Sequence, residues 1–232
     1  SSGRETIGRV AAGAVASKIL KQLGIEVYAY ASAIGGIELD NNNFSLAERD
    51  NNPFAMPDAK AAQKIKEYAD RKLEECNSMG GIIECVVENM PAGIGEPVFD
   101  KLDANLAKAV MSIGAVKGVE IGDGFKAAQS TGLDNNDAFR MQDGRVVKKT
   151  NHSGGILGGI SDGSDIILRA AIKPTPSIAS VQQTVNKQGE EIDISIHGRH
   201  DPMIVPRAVV VVEAMTAITL VDMLFTGMTS RL

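Results

Sequence analysis

The run from Arg207 to Phe225 constrains the fold more than any other part of the chain. It reads Arg207-Ala-Val-Val-Val-Val-Glu213-Ala-Met-Thr-Ala-Ile-Thr-Leu-Val-Asp-Met-Leu-Phe225, with Pro206 just ahead of it. That is too long for an ordinary strand. Proline suits the first turn of a helix, where its missing N–H costs nothing. A helix apolar on every side must lie inside a core or a membrane. Glu213, Asp222 and several threonines break up the 208–225 stretch, so it is read as a buried core helix and not a membrane span. No signal peptide is expected.

The rest of the composition fits a globular protein with that helix at its centre. The chain has 232 residues, of which 44% are hydrophobic and 23% charged. Such a length suffices for a real core, and residues 1–232 are read as one domain. The net charge of -5 argues against bulk binding of nucleic acid, which needs a basic face. Tryptophan is absent and only 4% of residues are aromatic, which removes the stacking platforms that single strands require. Cys76 and Cys85 are the only cysteines. They make neither a disulfide framework nor a metal quartet, so a reducing cytoplasm is expected and no metal.

Along the chain, helices and strands follow one another without short repeats. Ile7, Val10, Ala11, Ala14, Val15, Ile19 and Leu23 have helical spacing. Ser2 and Glu5 are placed as in a capping box, and Gly24 ends the helix. Ile25–Ala31 reads as a strand, 40–56 as loop, and Asp58 to about Cys76 as an amphipathic helix. Gly80-Gly81 precedes the strand 82–88. A helix is expected from about Val98 to Ile113, then strands at 116–121 and 166–172. Residues 122–153 read as a polar excursion or flap over a site. Glu191–His197 alternates as a half-buried strand does. These elements suggest an α+β protein built in layers.

Four segments gather polar and glycine residues at element ends. Ser1-Ser2-Gly3-Arg4 precedes a helix, where free N–H groups favour an anion; on local sequence alone a simple N-cap is the better reading. Gly154–Gly163 lets backbone approach a ligand closely, or merely makes a tight turn. It carries no Gly-Lys-Ser/Thr and opens no helix, so it is neither a Walker loop nor a dinucleotide fingerprint. Lys173-Pro174-Thr175-Pro176-Ser177 suits a phosphate or a flavin's polar edge, or a surface turn. Gly198-Arg199-His200-Asp201-Pro202 mounts three charged or titratable side chains on one turn, or a surface ion pair. Three adjacent residues do not make a hydrolase triad. His152 and His197 lack metal-ligand spacing.

Taken together, longer strings narrow the reading. Arg9-Val-Ala-Ala-Gly-Ala-Val15, Gly118-Val-Glu-Ile-Gly-Asp-Gly-Phe125, Asn151-His-Ser-Gly-Gly-Ile-Leu-Gly-Gly-Ile-Ser161, Lys173-Pro-Thr and Gly198-Arg-His-Asp-Pro202 with Pro206-Arg-Ala resemble the chorismate synthase family, in that family's order and across nearly the whole chain. The resemblance implies a layered β-α-β sandwich and a homotetramer. It implies a lyase of the shikimate pathway that converts 5-enolpyruvylshikimate 3-phosphate to chorismate and phosphate by 1,4-elimination, with reduced FMN and no net redox change. Whether NADPH or an outside reductant reduces that flavin stays open.

By the same resemblance, Ser1 and Ser2 belong to an Arg-Ser-Ser flavin motif. Gly114 and Ala115 line the flavin, Gly158 backs it, and Lys173, Pro174, Thr175, Pro176 and Ser177 hold it. Pro176 stands where the family usually has serine. Arg199 touches flavin and substrate, Arg4 holds a substrate anion, and Asp201 assists proton removal. The family's Gly-Glu-Ser-His-Gly segment and its second histidine do not occur in this sequence. The expectation is therefore a C-terminal two-thirds of the enzyme, inactive alone, with apolar surface left uncovered. The alternatives are a non-catalytic flavin- or phosphate-binding module, or a structural domain whose glycines only make turns.

Overall fold

The long apolar run forms a single helix. The computed structural model describes residues 3–196, 198 and 201–229. In chain order it contains α1 (Thr6–Gln22), β1 (Glu26–Ile34), β2 (Ile37–Glu38), α2 (Glu48–Asn51), α3 (Ala59–Glu74), β3 (Gly81–Glu88), α4 (Leu102–Met111), β4 (Val116–Ile121), β5 (Phe139–Gln142), β6 (Arg145–Lys148), β7 (Ile156–Leu157), β8 (Ile160–Ser161), β9 (Ile166–Ile172), β10 (Gln182–Val185), β11 (Glu191–Ile194) and α5 (Val205–Thr229). The main sheet has the order β2-β1-β3-β9-β4, and three two-stranded ribbons pair β5 with β6, β7 with β8 and β10 with β11. This is an α+β protein. The chain divides into two compact units, one of Ser1–Ala29, Ile83–Ala171 and Val209–Leu232, the other of Tyr30–Ile82 and Ile172–Ala208.

In the first unit, α5 supplies much of the core. Val209, Val211, Val212, Ala214, Ala217, Leu220 and Met223 are buried. Valine loses rotamer freedom in a helix, so burial, not propensity, makes this segment helical. The helix is long and apolar enough to cross a bilayer, but here those side chains are buried against protein. Its neighbour α1 corrects the sequence reading. The buried residues of α1 are Gly13, Ala16 and Leu20, while Ile7, Val15 and Leu23 of the expected apolar stripe are 70%, 61% and 60% exposed. The reason is backbone approach: a Cβ at Gly13 would lie 2.3 Å from the Ala214 Cβ and 2.5 Å from its Cα. The face with Gly13, Ala16 and Leu20 is turned inward, with Gly13 against α5. Ile7, Val15 and Leu23 are left exposed on α1.

Three further expectations shift. Glu5 takes the N-cap position of α1 in helical conformation and makes no side-chain cap. Its carboxylate pairs instead with Arg9 at 2.9 Å, and Ser2 lies outside the described residues. The helix expected from Val98 begins only at Leu102, because Glu96 N–H donates to the Asp100 carbonyl and turns the chain before it. The strand expected over 191–197 is only Glu191–Ile194, and all four residues are exposed. It pairs with β10 alone, with Thr184 opposite Ile192, so no layer covers its apolar alternation. His197 lies outside the described residues.

In the second unit, Asp58 starts α3. Its Oδ1 accepts from Lys60 N–H and Ala61 N–H at 2.9 and 3.1 Å, and Oδ2 accepts from Asp40 N–H at 3.0 Å. Burial raises the pKa of this carboxyl, but the three N–H donors outweigh burial and hold it below the ordinary carboxylate range. A depressed folded-state pKa means stability that is complete above the unfolded value and lost as pH falls through the folded one. Asp58→Ala should therefore cost about 2 kcal/mol at neutral pH. Urea unfolding of both proteins should show that difference shrinking below about pH 4.

Candidate functional site

In the second unit, two of the predicted strings are pinned to neighbouring residues of one short segment. Ser78 Oγ donates to the Thr175 carbonyl at 2.7 Å, and Met79 N–H donates to the Pro202 carbonyl at 2.8 Å. The Lys173–Ser177 segment and the Asp201-Pro202 turn are thus held side by side. Glycine makes this approach possible: a Cβ at Gly80 would lie 2.4 Å from the Ile172 carbonyl oxygen and 3.1 Å from the Pro174 ring. Gln182 Nε2 donates to the Pro176 carbonyl at 3.2 Å and fixes the segment's far end. Lys173 and Pro174 are exposed, as is Pro176, while Thr175 and Ser177 are half-buried. Thr175 Oγ1 is buried and has no hydrogen-bond partner among the described residues. Buried hydroxyls are ordinarily met by a hydrogen-bond partner.

Asp201 is half-buried, and its Oδ2 accepts from Arg207 NH1 at 2.5 Å. The guanidinium stands at the start of α5, so the helix sets the direction of the carboxylate. Arg199 and His200 lie outside the described residues, as does Ser1.

The other predicted residues belong to the first unit. Gly114 is exposed at the turn between α4 and β4, and Ala115 sits there at φ 73°, a left-handed conformation that costs a non-glycine residue energy. Arg9 braces this turn: its NH1 donates to Ser112 Oγ at 2.7 Å. Gly158 is exposed at φ 60°, and a Cβ there would meet nothing within 4 Å. Arg4 lies in the exposed single turn Gly3–Glu5 ahead of α1.

The polar stretch 122–153 is built around a buried carboxylate that sequence reasoning missed. Asp137 accepts from His152 N–H at 2.7 Å, Thr150 Oγ1 at 2.8 Å and Ser153 N–H at 2.9 Å. Burial alone would raise its pKa; the hydrogen bonds from Ser153 and His152, then Thr150, overcome that and hold it far below the ordinary range. Lys148 reaches Asp162 at 2.7 Å and Asp137 at 3.4 Å. His152 Nδ1 lies 2.8 Å from Asp123 Oδ2, which orients the ring. No periodicity marks Asp137 or Lys148 in the sequence, because their partners are loop N–H groups and polar side chains of other segments. Cys76 and Cys85 are both free thiols. Burial pushes the Cys85 thiol up to about 12, so it is inert as a nucleophile.

Concavities also lie elsewhere, one of about 460 Å³ along the β10–β11 ribbon at Thr184 and Ile192. An apolar groove of about 390 Å³ in the first unit is lined by Ile19, Leu23, Val221, Leu224, Phe225 and Met228, among others. A hollow of about 490 Å³ in the second unit lies between α2 and α3, at Asn52, Phe54, Ala62 and Lys66. None of the three contains a predicted site residue.

Comparison with known proteins decides which family uses these strings. The family model for chorismate synthase matches residues 1–225. This chain belongs to the chorismate synthase family. It is 68% identical over 232 residues to the chorismate synthase of Lachnospira eligens and 52% identical over 235 residues to that of Archaeoglobus fulgidus, in each case across 100% of its own length. It covers 63% and 65% of those proteins, so the chain spans less than two thirds of the curated relatives it matches. A crystal structure of chorismate synthase, 33% identical, superimposes with a TM-score of 0.80 over 97% of this chain and 64% of that one. The chorismate synthase fold implied by the sequence strings is therefore the fold observed.

Proposed function

We propose that this chain contributes the flavin-holding and proton-accepting part of a chorismate synthase, which converts 5-enolpyruvylshikimate 3-phosphate to chorismate and phosphate by 1,4-elimination with reduced FMN. The observation that carries the reading is the pair of hydrogen bonds from Ser78 and Met79, which set the Lys173–Ser177 segment beside the Asp201 turn. The residues fit an FMN. Thr175 Oγ1 is a buried oxygen lacking a partner among the described residues, Lys173 is a cation at the segment's exposed start, and Gly158 is open backbone. When bound, reduced FMN would supply the electron density that weakens the allylic C–O bond.

This chain's own residues do the rest. Lys173, Thr175 and Ser177, with the backbone of Pro174 and Pro176, bind and orient the flavin. By the family resemblance, Ser1, Ser2, Gly114, Ala115 and Gly158 are assigned to the same cofactor. Arg4 and Arg199 carry the substrate's negative charge, as guanidinium forks do for phosphate and carboxylate. Asp201, aimed by Arg207, accepts the ring proton as phosphate departs with the electrons of the C–O bond. The complete enzyme is a homotetramer in this reading, and the chain by itself turns over negligibly, since acid–base groups of the family are absent from its sequence.

Titration of the chain with FMN, followed by flavin fluorescence with and without the substrate phosphate, tests the proposal. Substrate should tighten FMN binding about tenfold or more, equivalent to a coupling free energy of about 1.4 kcal/mol. FMN binding indifferent to substrate favours the flavin-module alternative. Absence of FMN binding in both titrations would overturn the assignment of the Lys173–Ser177 segment.

A further inference from the structure

The glycine ribbon Gly154–Gly163 cannot hold its own shape. Its five glycines at 154, 155, 158, 159 and 163 all have positive φ, between 60° and 90°. Its internal ladder is the two-residue pairing of β7 with β8, extended by Asp162 N–H on the Gly155 carbonyl at 3.0 Å and tied to neighbouring loops by Ser161 N–H on the Ile94 carbonyl and Leu102 N–H on the Gly159 carbonyl; so short a ribbon is marginal alone. A set of buried side chains adds a second tie between its ends. Lys148, Asp137 and Asp162 have side chains only 4%, 2% and 8% exposed. Lys148 Nζ donates to Asp162 Oδ2 at 2.7 Å, to Asn151 Oδ1 at 3.2 Å and to Asp137 Oδ2 at 3.4 Å.

Each of these partners then grips backbone at one end of the ribbon. Asp137 takes the N–H groups of His152 and Ser153. Asn151 accepts from Gly155 N–H at 2.8 Å and donates to the Asp165 carbonyl at 2.8 Å. Asp162 accepts from Ser164 N–H at 2.9 Å. The ammonium therefore joins the entry of the ribbon to its exit, and every carboxylate oxygen it leaves is met by an N–H or O–H donor. Charges this deep are stable only when all are paired, and removing one partner costs far more than at a surface.

We propose that Lys148, Asp137 and Asp162 form a buried three-charge clamp that closes the Gly154–Gly163 ribbon on itself and so presents the open backbone of Gly158 to the flavin. The three are positioning residues, and their link to the cofactor rests on the flavin reading above. Thr150 adds a neutral fourth contact through its hydroxyl to Asp137 at 2.8 Å.

Hydrogen exchange by mass spectrometry on the whole chain, paired with FMN titration, tests this. Lys148→Met should speed exchange about tenfold or more at Gly155, Asp162 and Ile167, whose N–H groups bond within or beside the ribbon, while α4 amides of the same unit keep their protection. FMN affinity should fall about tenfold, and Lys148→Arg, which keeps the charge, should recover most of both effects. Where Lys148→Met fails to fold, Thr150→Val carries the comparison, with a smaller loss confined to the same amides. Equal loss at the ribbon and α4, or none at either, would overturn the clamp. A loosened ribbon that binds FMN as before would overturn its link to the flavin. If the parent chain binds no FMN, the flavin reading falls, while a loss confined to the ribbon still upholds the clamp.

Discussion

Asp201→Asn should lower turnover by about a hundredfold or more in a complete enzyme while changing FMN affinity less than about threefold. The complete enzyme can be made by joining this chain to the portion of the Lachnospira eligens relative that it does not span. Asparagine keeps the size of the side chain and an oxygen able to accept from Arg207 NH1, which now sits 2.5 Å from the carboxylate. It cannot take up a proton. The turn should also survive, since it is held through backbone, by Met79 N–H on the Pro202 carbonyl. Loss confined to kcat in a phosphate-release assay is the expected result. Parallel losses of turnover and FMN binding would make Asp201 a structural residue of the turn and refute its role as base.

Gly13→Val should destabilise the chain by about 3 kcal/mol, at the upper end of what overpacking a filled core costs. A Cβ at this position falls 2.5 Å from the Ala214 Cα, and a backbone atom cannot swing aside as a flexible side chain can. For a chain of this length that corresponds to a melting temperature lower by roughly 6–12 °C. Gly8, one and a half turns earlier on α1, supplies the control. It is exposed and meets nothing within 4 Å, so Gly8→Ala should be stabilising by about 0.5 kcal/mol through helix propensity alone. Urea unfolding of the two variants should move in opposite directions. Similar behaviour of both would mean that the contact of Gly13 with Ala214 does not limit the packing of α1.

Much of the fold could be read before any coordinates. The strand at Ile166–Ile172 and the long helix at its expected place followed from apolar runs bounded by glycine and proline, which are local signals. The Lys173–Ser177 segment, Asp201 and the glycine ribbon stood out for the same reason: their residue types are unusual at element ends. The apolar stripe of α1 misled because periodicity follows apolar residues, whereas the close approach of Gly13 to Ala214 turns the face of Gly13, Ala16 and Leu20 inward. The alternation at Glu191–Ile194 misled because it reports a face fit for burial and says nothing about what covers it.

What the amino-acid order determined by itself was the inventory: a family signature in five ordered strings, a core helix, and the polar and glycine-rich segments at element ends. Those are properties of residue type and short spacing, and neither needs a neighbour distant in sequence. Only the tertiary structure decided that Ser78 and Met79 draw the lysine segment and the aspartate turn together, that Gly13 meets Ala214, and that Lys148 ties Asp137 to Asp162. Each of these is a contact between segments far apart along the chain or a bond to backbone, and no local pattern encodes which groups will pair when a buried polar atom must find a partner.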